Sequence, residues 1–132
     1  MAKRPRIFAT EDAVQLAKRR LPRMIFDFIE GSAGREAGAK RNETRFDDIM
    51  LQPRVLSNVG TRSLTTRFLG REYGLPFGIA PMGMCNLACP DADAHIARIA
   101  KGRQMPVCLS SAGSSSLRDM NSWSGGMAWV QL

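Results

Sequence analysis

The chain has 132 residues, of which 44% are hydrophobic and 23% charged, with 12 Gly and 7 Pro. This is one domain's worth of globular composition, and it excludes a wholly disordered or collagen-like chain. No run approaches the ~18 apolar residues of a membrane-crossing helix, no apolar stretch behind the basic N-terminus reads as a secretory signal, and 3 Cys cannot build a disulfide framework, which favours a reducing, cytoplasmic setting.

The net charge of +7 is unevenly placed. Residues 1–71 hold 15 Lys/Arg against 8 Asp/Glu, whereas residues 72–132 hold 4 of each. The front is basic and helix-like; the back is neutral and richer in Gly, Ser, Met and Cys.

Residues 1–8 read as a loose arm. Thr10 is a candidate N-cap, Glu11 and Asp12 suit the positive end of a helix, and Lys18-Arg19-Arg20 suit its other end. Leu21-Pro22 restarts a helix whose Met24, Ile25, Phe26, Phe28 and Ile29 are apolar enough to predict burial, with Gly31 and Gly34 ending it. A third amphipathic segment spans 35–49, with Phe46 and Ile49 as its anchors. Arg54-Val55-Leu56 and Ser63 to Leu69 then read as short strands joined at Gly60, and Arg71-Glu72-Tyr73-Gly74 as a turn.

The back half alternates differently. Leu75 to Ala80 reads as a short buried strand, Pro90 to Lys101 as a helix ended by Gly102, and Met105 to Ser110 as a second strand. Ser116 to Trp123 is a second helix, and Met127 to Leu132 a third strand. Short, almost uniformly apolar strands separated by helices predict a parallel α/β sheet, either open or part of a barrel. The expected division is a cap and hairpin over 1–74 and sheet strands over 75–132.

Parallel α/β sheets gather their chemistry at the carboxyl ends of the strands. The first strand ends in Ala80-Pro81-Met82-Gly83-Met84, where Pro81 fixes the chain and Gly83 leaves room for a ligand against the backbone. The second ends in the hydroxyl-rich run Ser110 to Ser116. The third carries Gln131, an amide in an apolar strand that requires hydrogen-bond partners. Together they suit a neutral, planar ligand with alternating donors and acceptors. Each also has a plainer reading: Gly83 as a turn residue, Ser110 to Ser116 as a loop and helix cap, Gln131 as a satisfied core amide.

Other constellations are weaker. Cys85, Cys89, Cys108 and His95 lack the spacing of a zinc site. His95 lies mid-helix without a visible carboxylate partner and reads as a surface residue. Nothing nearby lowers the pKa of Cys85 or Cys108 toward a nucleophile's. Lys3, Arg4, Arg6 and Lys18 to Arg20 read as solvated helix ends; no nucleic-acid motif accompanies them, so no nucleic-acid partner is expected.

The run Leu21-Pro22-Arg23-Met24-Ile25-Phe26-Asp27-Phe28-Ile29-Glu30-Gly31-Ser32-Ala33-Gly34 resembles the opening signature of the FMN-dependent α-hydroxy-acid dehydrogenases and oxidases. Asn42, Phe46, Pro53 to Leu56, Thr65-Thr66, Pro76 to Gly83, Leu109 to Ser111 and Trp129 to Leu132 continue the likeness in register and in order. The resemblance implies an α/β fold: the N-terminal part of a (β/α)8 barrel, comprising a helical cap, a hairpin and the first three strands with their two helices. It implies FMN across the barrel mouth, touching Pro81, Met82, Gly83, Ser110 and Gln131, and a 2-hydroxy acid as substrate. Phe28 stands where the family commonly has a Tyr whose hydroxyl helps hold the substrate carboxylate.

The resemblance also implies that the family's histidine base, its flavin-contacting Lys and its carboxylate-clamping arginines fall beyond residue 132. His95 does not match that base. The expectation is therefore a fragment that is inactive alone. The alternative is a truncated, non-enzymatic remnant or half-barrel that associates with a complementing C-terminal segment or with its own copies. Because some relatives sit on the inner face of a membrane, the front-loaded charge also permits peripheral contact there.

Overall fold

The computed structural model describes residues 6–132, so the arm expected over 1–8 lies outside the described residues as far as residue 5. The chain forms two compact units, the first ending at Ser57 and the second running from Asn58 to Leu132.

The first unit is helical: α1 spans Thr10–Arg20, α2 Arg23–Glu30 and α3 Ala37–Asp47. Thr10 is the first residue of α1 rather than its cap. The capping work falls to Asp12, whose Oδ2 accepts the N–H of Phe8 at 2.9 Å and of Ala9 at 3.2 Å. A carboxylate so placed satisfies donors that the helix leaves orphaned and opposes its positive end. Gly31 caps α2 by donating its N–H to the Asp27 carbonyl.

Burial of α2 does not occur within this unit. Met24 is 78% exposed and Phe28 57%, and none of the three helices has a buried residue. The expected anchors of α3, Phe46 and Ile49, are likewise exposed. Three short helices cannot enclose one another's apolar stripes, so the periodicity marks faces that this unit alone leaves uncovered.

The second unit opens with a hairpin that corrects the expected one. β1 (Thr66–Phe68) pairs antiparallel with β2 (Arg71–Tyr73), in the register Thr66 to Tyr73 and Phe68 to Arg71. The connection is Leu69-Gly70, both at positive φ (50° and 77°). Two successive left-handed residues match the twist of a two-residue hairpin. Residues 54–56 are not a strand, and Leu56 itself sits at φ 61°. Residues 71–73, expected as a turn, are the returning strand.

Beyond the hairpin the expected alternation is present, with shorter strands. Cys85–Leu87 is a 3-10 turn, α4 spans Ala92–Arg103, β3 Val107–Leu109, α5 Leu117–Ser124 and β4 Ala128–Val130. β3 and β4 pair in parallel, Cys108 opposite Trp129. The strand expected over 75–80 contracts to a single parallel bridge, Ile79 to Val107. Pro76, Pro81 and the facing Pro106 have no N–H to give, which stops the ladder on both sides of Ile79. Gly102 does not end α4; the helix runs to Arg103 and is closed by Gln104 in the left-handed conformation. α5, expected over Ser116 to Trp123, runs to Ser124 and is closed by Gly125 at φ 65°.

The core lies between this small sheet and the two helices. Ala97 and Ala100 of α4 are fully buried, and Val107, Leu109, Met105 and Met120 complete the cluster. Small alanines let α4 approach closely, while burial of Val107 (1% exposed) is worth about 1.5–3 kcal/mol. Alternation along the strands sends Val107 and Leu109 toward the helices and Cys108 and Trp129 to the opposite face.

Candidate functional site

The face away from the helices is concave. It forms a cleft of about 470 Å³ whose walls include Phe68, Tyr73, Phe77, Cys108 and Trp129. One end of the cleft is closed by the hairpin. Phe68 stacks on Trp129 with ring centroids 5.6 Å apart, and the Trp129 indole N–H donates to the Tyr73 hydroxyl at 3.2 Å. Arg71 lies over the Tyr73 ring and donates to the Gly126 carbonyl.

At the carboxyl ends of the strands the expected rim residues converge. The Ser110 hydroxyl donates to Gln131 Oε1 at 3.0 Å, and the Ser111 N–H donates to the same oxygen at 3.2 Å. Gln131 N–H extends the parallel ladder by donating to the Leu109 carbonyl at 3.0 Å. Gln131 is thus a partnered amide, but an exposed one rather than a core one. Its Oε1 is satisfied by protein, so its orientation is fixed, while Nε2 makes no hydrogen bond among the described residues.

The loop after Pro81 is stitched to the loop after β3. Met84 N–H donates to the Ala112 carbonyl at 3.0 Å, and the Ala112 N–H donates to Ser110 Oγ at 3.2 Å. A Cβ on Gly83 would stand 3.0 Å from the Ala112 Cβ and 3.5 Å from Ser110 Oγ, so the two loops approach closely at this glycine. Met82 and Gly83 lie exposed, and their backbone N–H groups make no hydrogen bond among the described residues. Ser116 acts as the cap of α5, its Oγ accepting the Asp119 N–H at 3.1 Å. The serine run therefore divides: Ser110 belongs to the rim and Ser116 to the helix. Phe28 lies on α2 in the first unit.

A pair that sequence reasoning passed over lies beneath the rim. Asp93, in the first turn of α4, is 4% exposed and accepts the Ser114 N–H at 3.1 Å. Cys85 shares its small pocket, and its thiol is pushed up from the usual 9.0, by burial first and the Asp93 carboxylate second. The signal was present in the periodicity: positions 93, 97 and 100 form one helical stripe, and an acid begins a row otherwise filled by alanine. His95 is exposed on α4.

The sequence matches the family described as FMN-dependent dehydrogenase over residues 17–132. The chain belongs to this family. Similar curated proteins include the L-lactate dehydrogenase of Pseudomonas syringae pv. syringae (strain B728a) and the (S)-mandelate dehydrogenase of Pseudomonas putida. Each is 35% identical over 126 residues, or 96% of this chain, but over only 33% and 32% of the respective relative. The chain thus spans about a third of the length of the curated relatives it matches. Among solved structures, a soluble mutant of the membrane-associated (S)-mandelate dehydrogenase from Pseudomonas putida superposes with a TM-score of 0.87 at 35% identity. That match covers 96% of this chain and 36% of the other. The chain therefore has the fold of part of this FMN-dependent α/β-barrel family, whose members are flavoprotein oxidoreductases acting on hydroxy acids.

FMN is the family's cofactor. The rim's free groups suit it in kind. A flavin's pyrimidine edge alternates carbonyl acceptors with an N–H donor, and the rim offers unpartnered N–H groups at Met82 and Gly83 and the fixed carboxamide of Gln131. No helix among the described residues is long and apolar enough to cross a membrane.

Proposed function

We propose that this chain supplies the flavin-edge rim of an FMN-dependent oxidation of a 2-hydroxy acid to a 2-oxo acid. The observation that carries this reading is the double hydrogen bond into Gln131 Oε1 from the Ser110 hydroxyl and the Ser111 N–H. It aims a carboxamide with a free Nε2 along the edge of the strands where α/β barrels bind their ligands. When bound, FMN supplies the hydride or electron acceptor; the protein supplies position and electronic tuning.

The geometry supports a role for each rim residue. The backbone N–H groups of Met82 and Gly83 face one side of the flavin's polar edge, and Pro81, which has no N–H, fixes the chain that presents them. Ser110, rigidly held between Ala112 N–H and Gln131, supplies a hydroxyl on the same side. Gln131 Nε2 reads a pyrimidine carbonyl. Family likeness gives Phe28 a substrate position, and its side chain has no hydroxyl to donate to a carboxylate.

Residues 1–74 then form the cap and hairpin, and residues 75–132 the first three strand positions of the barrel, with Ile79 marking the first. The 132 residues do not turn over a hydroxy acid unaided. Oxidation of the alcohol carbon requires a base for the hydroxyl proton and a cationic clamp for the carboxylate. The single histidine, His95, is exposed on α4. Turnover needs the further barrel strands, in the same polypeptide or in a complementing one. Exposed Val130 on the outer strand and the exposed apolar residues of α2 favour such association. Peripheral contact with an anionic membrane face fits the +7 charge of residues 1–71 and the membrane-associated relative.

Titrating FMN with the purified chain while recording absorbance tests the rim. A structured, shifted flavin band that is lost in Gln131→Leu is the expected result. A free-flavin spectrum at millimolar chain would overturn the reading, and steady flavin reduction by lactate, glycolate or mandelate would overturn the inactivity of the isolated chain.

A further inference from the structure

Ser114 lies four residues beyond Ser110, in the loop that must hold the rim hydroxyl in place. That loop is exposed at Ser111 and Ala112, and little apolar contact fixes it. Its one long-range hydrogen bond to a helix side chain runs from the Ser114 N–H to Asp93 Oδ2, at 3.1 Å. Asp93 is 4% exposed, at the start of the buried stripe of α4, and it lines the same small pocket as Met82, Cys85 and Ser110. Burying a carboxylate is costly unless it is hydrogen-bonded, so its retention there calls for a specific acceptor role. Burial first, and the Asp93 carboxylate second, push the Cys85 thiol in this pocket up from its usual value.

We propose that Asp93 is a positioning residue for the rim: by holding Ser114 it fixes the Ser110–Ser116 loop and so aims the Ser110 hydroxyl at Gln131. The flavin-binding consequence rests on the reading of the rim given above, but the loop-fixing role does not. Oδ2 anchors the loop at Ser114, and the Met84 N–H to Ala112 carbonyl bond anchors it at its middle. Both anchors lie just beyond Ser110, and they hold the Ala112 N–H where Ser110 Oγ accepts it while donating to Gln131.

Amide hydrogen exchange and FMN titration of the whole chain, in Asp93→Ala and Asp93→Asn, test this. Asparagine keeps an acceptor for Ser114 and removes the charge; alanine removes both. In Asp93→Ala the amides of residues 111–114 should exchange about tenfold faster and FMN should bind about five- to tenfold more weakly, the scale of one lost hydrogen bond. Asp93→Asn should restore both to within about twofold of the parent, which a general loss of packing would not do. Unchanged exchange in Asp93→Ala, or equal losses in both variants, would overturn the proposal. If Asp93→Ala does not fold, the Ser114 amide proton resonance decides: it should move upfield in Asp93→Asn more than any other rim amide, and a stationary resonance would overturn the proposal. If exchange responds as expected but the parent chain takes up no FMN, Asp93 still positions the loop and the flavin reading of the rim is what fails.

Discussion

The indole N–H of Trp129 donates to the hydroxyl of Tyr73 at 3.2 Å, joining strand β4 to a hairpin 56 residues earlier in the chain. Phe68 adds a stacked face to the same indole. Gln131 follows β4 directly, two residues beyond the indole, so the clasp holds the element that leads to the rim amide.

Tyr73→Phe removes the acceptor but keeps the ring. It should cost about 1 kcal/mol, since the indole donor is then left part-buried without a partner. Trp129→Ala also removes the stacking surface and should cost about 3–5 kcal/mol. Urea titration followed by circular dichroism checks both, and equal effects of the two variants would deny the hydrogen bond a separate share.

Leu69 occupies the first left-handed position of the hairpin turn at φ 50° and is 79% exposed. Leu69→Asn should stabilise the second unit by about 0.5–1 kcal/mol, because asparagine tolerates this conformation better than a γ-branched side chain does. Gly70→Ala, at φ 77°, should destabilise by about 1 kcal/mol. Thermal melts of the two variants should move in opposite directions.

Ser110→Ala and Gln131→Leu address the rim. Each should weaken FMN uptake by about tenfold, the scale of one hydrogen bond to a fixed partner, while leaving the melting temperature near that of the parent. Losses of stability as large as the losses of flavin affinity would make these residues part of the scaffold instead.

The Cys85 thiol gives a pH-dependent readout. Burial and the neighbouring Asp93 carboxylate disfavour its thiolate, so its pKa stands above the usual 9.0. Alkylation by iodoacetamide at pH 8 should be slower at Cys85 than at the exposed Cys89 and should rise steeply only at more alkaline pH. A raised folded-state pKa contributes stability that is complete below 9.0 and is lost as pH climbs through the higher folded value. Faster labelling of Cys85 than of Cys89 at pH 8 would contradict the burial assigned to it.

Much of the second unit was legible because its elements are self-announcing. α4 carries a helical spacing of apolar residues, Ser116 opens α5 as a cap, and β3 and β4 are short apolar runs. The convergence of Ser110 with Gln131 was legible from the rule that ligands gather at carboxyl strand ends. The hairpin was displaced because Leu69 takes a left-handed turn position that sequence propensity assigns to Asn or Gly, hiding the connection. The strand at 75–80 was overextended because Pro76 within its apolar run, Pro81 just after it and Pro106 facing it cannot donate to a ladder. The apolar stripes of α2 and α3 were read as buried, whereas a stripe records only that a face is apolar, not that the same unit covers it. Asp93 and Tyr73 escaped because their partners, Ser114 and Trp129, are 21 and 56 positions away.

The sequence separations of the rim and clasp contacts also set what each costs to close. The hairpin closes locally, on a scale of about 1–10 μs. The bond from Ser110 to Gln131 closes 21 residues and the clasp from Tyr73 to Trp129 closes 56, a difference of about 0.9 kcal/mol in loop-closure entropy. The rim contact is therefore the less costly of the two to close. A variant such as Tyr73→Phe should then hasten unfolding while leaving the refolding rate almost unchanged, so the clasp governs how long the rim persists rather than how fast it forms.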